Sequence, residues 1–283
     1  MPPRPGTSPA LSLIVPTYNA ARHIEANIAE IIATLESLQQ AYEILVVSDG
    51  STDDTASAVG RISDPRVQLL DYPANQGKGY AICVGVANAR GRLIGWLDSD
   101  LDVSPAVIVD AVRVLQEGSV DAVIGSKRHP HSQVHYPVSR RVLSAGFQAL
   151  VALLFRINVR DTQVGAKVFR GEMLRTVVPL LMIKRYAFDL EVLAVGAEFG
   201  FDRIEEAAVT LAYRFTGTQI NSEAVWRMFL DTLAIAYRIH LRHWYVRQFA
   251  ALERRRSDTH ALGDRRTQGP SSATWAEILS SRR

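Results

Sequence analysis

Residues 93–102, LIGWLDSDLD, form a five-residue apolar run that stops on three carboxylates, Asp98, Asp100 and Asp102. A continuous apolar run of this length reads as a strand buried on both faces. In open α/β sheets, ligands bind outside the carboxyl ends of the strands, which is where these acids fall. Like charges crowded together repel unless a cation offsets them. Hard divalent ions, Mg2+ or Mn2+, suit such oxygens and often take one or two carboxylates plus substrate phosphates. Alone, the D-x-D spacing is a weak signal, because a solvated acidic loop that caps the next helix looks the same. Ser104 and Pro105 do supply an N-cap and a first-turn proline for a helix running to Leu115, and Asp102 fits either role.

Outward from this stretch, short apolar runs alternate with helical patterns. Strands are expected over residues 11–16, 44–47, 67–70 and 120–125, and helices over 52–62 and 77–89. Ile24, Ile28, Ile31, Leu35 and Leu38 recur at helical spacing between the first two strands. Such alternation argues an α/β domain with a mostly parallel central sheet flanked by helices. The second half is less regular: a helix over 138–156, a loop at 161–163, a strand over 164–170, a helix over 188–199 and a late strand over 204–213. From Ser222 a long amphipathic segment runs to Phe249, carrying Trp226, Phe229, Leu233, Tyr237, Leu241 and Trp244.

Composition narrows the classes. With 283 residues, 47% hydrophobic and 22% charged, the chain can build a full core, which excludes wholesale disorder. The single Cys83 excludes a disulfide framework and a cysteine-built zinc site. No run of 18 apolar residues is present, so a spanning helix is not expected, and the first ten residues lack the apolar core of a signal peptide. These features describe a soluble or membrane-surface protein in a reducing, cytoplasmic compartment. Net charge is +3, yet residues 238–283 hold ten Arg against four acids. That basic end matches no nucleic-acid-binding motif, so nucleic acid is not an expected partner. Gly77 and Gly79 do not complete G-x-G-x-x-G, which argues against a dinucleotide fold.

Four segments in order carry a resemblance. They are Pro16-Thr-Tyr-Asn19, Ser48-Asp-Gly-Ser-Thr-Asp53, Asn75-Gln-Gly-Lys-Gly79 and Asp98-Ser-Asp100. Their order and spacing resemble inverting family-two glycosyltransferases of GT-A fold. The resemblance implies that Pro16, Tyr18 and Asn19 line a nucleotide site, that Asp49 contacts the base, and that Lys78 lies near the phosphates. It also implies that Asp98 sits by the ribose or metal and that Asp100, with Asp102, ligates Mg2+ or Mn2+. The family usually has two acids before Gly-Ser; here the first is Ser48, so the base contact rests on Asp49.

Further along, residues 123–128 (VIGSKR), Ser139-Arg-Arg141 with Ser144, and residues 161–169 (DTQVGAKVF) look like enzymes that load a sugar onto polyprenyl or dolichyl phosphate. The last segment is more similar to dolichyl-phosphate β-glucosyltransferases than to the mannosyl enzymes. By resemblance, UDP-glucose is the first donor and GDP-mannose the second. Lys127, Arg140 and Ser144 are assigned to the acceptor phosphate, with Arg128 and Arg141 beside them; an ordinary basic helix start reads the same way. Gln163 and Asp189 would orient the sugar, and Asp189 or Glu191 would serve as base if the acceptor were instead a soluble hydroxyl compound. A non-catalytic sugar-nucleotide-binding protein is the reading from another class.

The expected organisation is a flexible N-terminus over 1–10, the GT-A domain over 11–221, an amphipathic helical extension over 222–250 and a basic flexible tail over 251–283. The extension's aromatics and arginines suit an anionic membrane interface, and its apolar stripe equally suits packing on the core or a homodimer.

Overall fold

The computed structural model describes residues 8–132, 138–155, 157, 159–183, 187–211 and 222–261, without the side chains of 138–145, 222, 224 and 256–261. Strand and helix alternate through the first half: β1 (Leu11–Thr17), α1 (Ile24–Leu35), β2 (Tyr42–Asp49), α2 (Thr55–Gly60), β3 (Val67–Tyr72), α3 (Lys78–Asn88), β4 (Leu93–Leu97), α4 (Ala106–Glu117) and β5 (Ala122–Ser126). The second half contributes α5 (Val138–Phe155), β6 (Ala166–Arg170), α6 (Gly171–Val177), α7 (Phe188–Glu198), β7 (Ile204–Ala208), α8 (Ser222–Ala236) and α9 (Trp244–Ala261).

Among the described residues these strands form a seven-stranded sheet in the order β3-β2-β1-β4-β6-β5-β7. Neighbours run parallel except at β6, which is antiparallel to both β4 and β5. Every residue of β1, β2 and β4 is buried, as their near-continuous apolar runs require of strands covered on both faces. Alternate side chains feed two cores. Ile14, Leu45, Val47, Ile94 and Trp96 pack with α3, α6 and α7 on one face. Leu13, Val15, Ile44, Val46 and Leu97 pack with α1 and α4 on the other.

Strand order reverses at β1, since β2 and β3 extend to one side and β4 returns on the other. The β1–β2 ladder continues to Thr17↔Ser48, whereas the β1–β4 ladder stops at Ile14↔Trp96. A crevice therefore opens between β1 and β4 at their carboxyl ends, the place where ligands bind in such sheets. Pro16, which has no N–H, is tolerated because one flank of β1 carries no ladder there.

The amphipathic segment departs from the single helix expected over 222–250. α8 ends at Ala236, a π-type turn follows over Tyr237–Leu241, and His243 adopts φ 45° before α9 begins. The boundary drawn at residue 250 falls inside α9, which continues to Ala261. α6 had no counterpart in the sequence reading, and β7 stops at Ala208 instead of 213. Thr232, Ile235, Ile239 and Tyr245 are buried, so one face of this extension packs on the core.

A carboxylate fixes that docking. Glu191 of α7 is fully buried and accepts the Tyr245 hydroxyl at 2.5 Å, the Ile183 N–H at 2.8 Å and the Met182 N–H at 3.0 Å. Arg238 approaches it to 3.6 Å. Burial raises the Glu191 pKa, opposed by these donors. Glu191→Ala strands a hydroxyl and two N–H groups in the core, so we expect a loss of about 3 kcal/mol in urea unfolding. Glu191→Gln, which keeps an acceptor, loses clearly less in the same measurement.

Candidate active site

The crevice is lined first by Asp98, the residue after β4. Its N–H donates to Gly165 O at 3.1 Å, continuing the β4–β6 ladder after β4 has left β1. Its carboxylate pairs with Lys78 Nζ at 2.5 Å. Lys78 opens α3. Burial works against its charge, but Asp98, Asp189 and Asp100 outweigh that and hold its pKa above the usual lysine value. Gly165 lies so close that a Cβ there would run into the Asp98 carboxylate. This glycine therefore sets where the carboxylate can sit.

The acidic loop beyond Asp98 makes a tight reversal. Leu101 N–H donates to Asp98 O at 3.2 Å, and Leu101 takes φ 53°, a left-handed conformation costly for a branched side chain. Its side chain is 1% exposed, so core burial anchors the strained turn. Asp102 N–H donates to Asp100 Oδ1 at 3.1 Å, and Asp102 Oδ1 is buried without a partner. Burial first, then the Asp98 charge, raise the Asp100 pKa above the usual aspartate range. Among the described residues, no three acidic, His or Cys side chains converge as a preformed metal cage. One or two carboxylates completed by diphosphate oxygens is nonetheless an arrangement that Mg2+ and Mn2+ use, and the orphaned Asp102 oxygen fits it.

The loops after β1 and β2 are organised by side chains whose oxygens bind the chain itself. Asp49 is 4% exposed; its Oδ1 accepts Tyr72 Oη at 2.8 Å and Gln76 N–H at 2.7 Å, and its Oδ2 accepts Gly77 N–H at 2.9 Å. Gly77 has φ 98°, a conformation that glycine adopts freely as the chain turns into α3. Asp49 thus shapes the loop beside the crevice. Asn19, at φ 50°, accepts Thr52 N–H at 2.8 Å through its side-chain oxygen and latches the β1–α1 loop to the β2–α2 loop. Tyr18 is left half exposed at the end of β1, and Thr17 Oγ1 is buried nearby in sequence without a partner.

Residues 161–165, which lead into β6, border the crevice next to Asp98. Asp161 accepts Lys127 N–H at 3.2 Å and Gln163 N–H at 3.1 Å, tying the turn after β5 to this segment. Gln163 also donates from Nε2 to Thr162 Oγ1 at 3.3 Å. Asp189 is nearly buried and accepts Lys167 Nζ at 2.7 Å. Glu191 is spent in the core as described. Arg140, Arg141 and Ser144 lie on α5, and their side chains fall outside the described residues. Arg128 follows Lys127 in the turn, half-buried.

Sequence reasoning missed Lys167, Tyr72 and Gly165 as contributors. Lys167 is an alternating position of a buried strand, where a lysine is rare unless paired; that anomaly was the available signal. Burial pushes its pKa down and Asp189 opposes the shift.

The family described as Glycosyl transferase family 2 matches residues 12–178. A human dolichyl-phosphate beta-glucosyltransferase is 30% identical over 84% of this chain and 78% of its own. The Dictyostelium discoideum protein of the same name is 28% identical over 84% of this chain and 77% of its own. A solved structure of glucosyl-3-phosphoglycerate synthase from Mycobacterium tuberculosis, in complex with Mn2+, UDP-glucose and phosphoglyceric acid, has a TM-score of 0.62 at 19% identity, covering 82% of this chain and 85% of its own. At that identity the likeness establishes the fold, GT-A.

Two outcomes follow from the geometry. Gly165→Ala displaces the Asp98 carboxylate, a flexible group, so the thermal melt stays near that of the parent. Turnover falls about tenfold or more, because misplaced charge at a reacting centre is costly. For Asp100, ion binding requires the ionised form. Mn2+ affinity, followed by electron paramagnetic resonance, therefore falls on acidification at a pH above the ordinary aspartate range, and Asp100→Asn abolishes that dependence along with most of the affinity.

Proposed function

Because the chain belongs to glycosyl transferase family 2 and is a glycosyltransferase, we propose that it transfers glucose from UDP-glucose to a polyprenyl or dolichyl phosphate with inversion at the anomeric carbon. GDP-mannose is the second donor to test. One observation supports the reading: residues 161–165 join the turn that carries Lys127 to the Asp98 end of β4. Asp161 holds the Lys127 backbone, and four residues on Gly165 accepts from and abuts Asp98. The relatives named for a dolichyl-phosphate acceptor support it.

A phosphate monoester is mostly ionised at neutral pH, its second pKa being about 6, so it needs no strong base. It needs positive charge to hold and aim it. Lys127 and Arg140 supply that charge, with Ser144 one helical turn after Arg140 on the same face. A phosphate oxygen lone pair forms the new bond to the anomeric carbon as the bond from that carbon to the diphosphate oxygen breaks. The nucleoside diphosphate leaves with the electron pair, and one displacement converts an α-linked donor into a β-linked product. Lys78 stands on the leaving-group side beside Asp98, and Tyr18 and the Asp49-ordered loop receive the nucleotide. A divalent cation held by Asp100 and Asp102 supplies charge neutralisation on the diphosphate when bound.

A soluble hydroxyl acceptor requires a free carboxylate as base. Asp189 is paired to Lys167, and Glu191 is buried among its donors, so neither candidate supports that alternative. The reading places the enzyme at the cytoplasmic face of a membrane, where its lipid acceptor resides.

Purified protein with Mg2+ or Mn2+, a short-chain polyprenyl phosphate and either UDP-glucose or GDP-mannose tests the proposal. Lipid-phosphate-dependent transfer from UDP-glucose is expected; transfer to a soluble sugar but never to the lipid phosphate overturns it. In the same assay Arg140→Ala raises the acceptor KM about tenfold or more and leaves the donor KM nearly unchanged.

A further inference from the structure

The extension that Glu191 docks shows its opposite face to solvent. Trp226, Leu230, Leu233 and Tyr237 recur at intervals of four, three and four, which places them along one line of α8 and the turn after it. Trp226 is 60% exposed, and Leu241, the next in the series, 72%. Leu241 follows Tyr237 at the same four-residue interval, within the π-type turn that the Arg242 N–H closes by donating to Tyr237 O, five residues back, at 3.1 Å.

The stripe joins a second apolar surface. His240, inside the turn, bonds Leu154 O through Nε2 at 2.6 Å, and its ring lies over Phe155 at 6.4 Å. These contacts fasten the stripe to the end of α5, where Leu153 is 79% exposed. Residues 142–155 of α5 carry no charge, and Gly146, Ala149 and Ala152 are also exposed. α5 thus leads from Arg140 and Ser144 to the stripe, an axial run of about 20 Å from Arg140 to Leu153.

Cations flank this surface. Arg242 and Arg247 are exposed and have no acidic partner among the described residues. Arg227 is exposed and pairs with Glu223 at 2.6 Å. Glu223 and Asp231 are the acids of α8. No helix among the described residues is long and apolar enough to cross a membrane. Exposed Trp and Tyr beside Leu, bordered by Arg, match the chemistry of a bilayer interface carrying anionic headgroups.

We propose that the α8 stripe, the π-type turn and the outer face of α5 form one docking surface for an anionic lipid bilayer. The inference deepens the lipid-phosphate reading and rests on it: the surface brings the acceptor helix to the membrane that holds the prenyl chain.

The test is co-sedimentation of the full chain with phosphatidylcholine vesicles, with and without about one third phosphatidylglycerol. Binding to the anionic vesicles is expected, weakened by salt. The double variant Tyr237→Ser/Leu241→Ser should lower partitioning about tenfold, and Arg242→Glu/Arg247→Glu comparably, with the second variant leaving the apolar packing intact. Both should keep parental turnover on a water-soluble short-chain acceptor and lose it on a long-chain acceptor in vesicles. Equal binding by parent and variants overturns the proposal. So does a parent that ignores vesicles but is a dimer by light scattering, with the serine variant monomeric; the stripe is then an interface between copies. Vesicle binding without any lipid-phosphate transfer refutes the function reading alone, and short-chain transfer without vesicle binding refutes the docking surface alone.

Discussion

β1 keeps β2 as a partner to its last residue but loses β4 three residues earlier, and the site depends on that mismatch. The parting of β1 and β4 exposes the end of each strand to a shared crevice. β4 meanwhile keeps its pairing with β6 through Asp98 N–H and Gly165 O, so the backbone that carries the first carboxylate is fixed by a sheet hydrogen bond. The antiparallel insertion of β6 follows the same logic, because it brings residues 161–165 back over the β4 end, which a parallel neighbour entering from the opposite edge would not do.

Charge balance then decides what the crevice can hold. Of the acids at 98, 100 and 102, Asp98 pairs with Lys78, while Lys167 pairs with Asp189. Lys78 is partly exposed and remains available to an anion, whereas Lys167 is fully enclosed and committed to Asp189. The pair at Lys167 stabilises little by itself, since desolvation of two buried ions offsets much of their attraction. Its effect is positional: it holds Asp189 as a fixed negative charge that Lys78 senses.

The strand–helix rhythm of residues 11–126 was legible because parallel strands covered on both faces leave continuous apolar runs with turn residues between them. The D-x-D loop was legible for the same reason: acids that end a buried strand have only one place to go. Other features left no local trace. α6 follows β6 without a linker, so no turn signal separates them, and the break between α8 and α9 contains neither Pro nor Gly. Asp49 and Asn19 were recognised by their motif positions, but their side chains turned out to bind the chain's own N–H groups, a distinction that depends on which loops meet in space. Glu191 had the sequence appearance of a site acid. Only the arrival of Tyr245, 54 residues later, shows it to be a core strut.

The two halves of the site are therefore held by different kinds of structure, and this bears on where substrate choice resides. The half proposed to receive the donor hangs on sheet hydrogen bonds and on Asp49, whose oxygens are already engaged, so its shape tolerates little variation without loss of the fold around it. The half proposed to receive the acceptor is carried by a turn after β5 and by α5, whose residues 142–155 are uncharged and partly exposed. Such a helix can exchange side chains at low cost to the core, because its outer face packs against nothing described. Under the lipid-phosphate reading proposed above, this helix rather than the crevice between β1 and β4 meets the acceptor. For a lipid the helix must also satisfy a second constraint, that its apolar face continue without a charged break toward the bilayer. Residues 142–155 meet it, and a soluble acceptor would place no such demand on them.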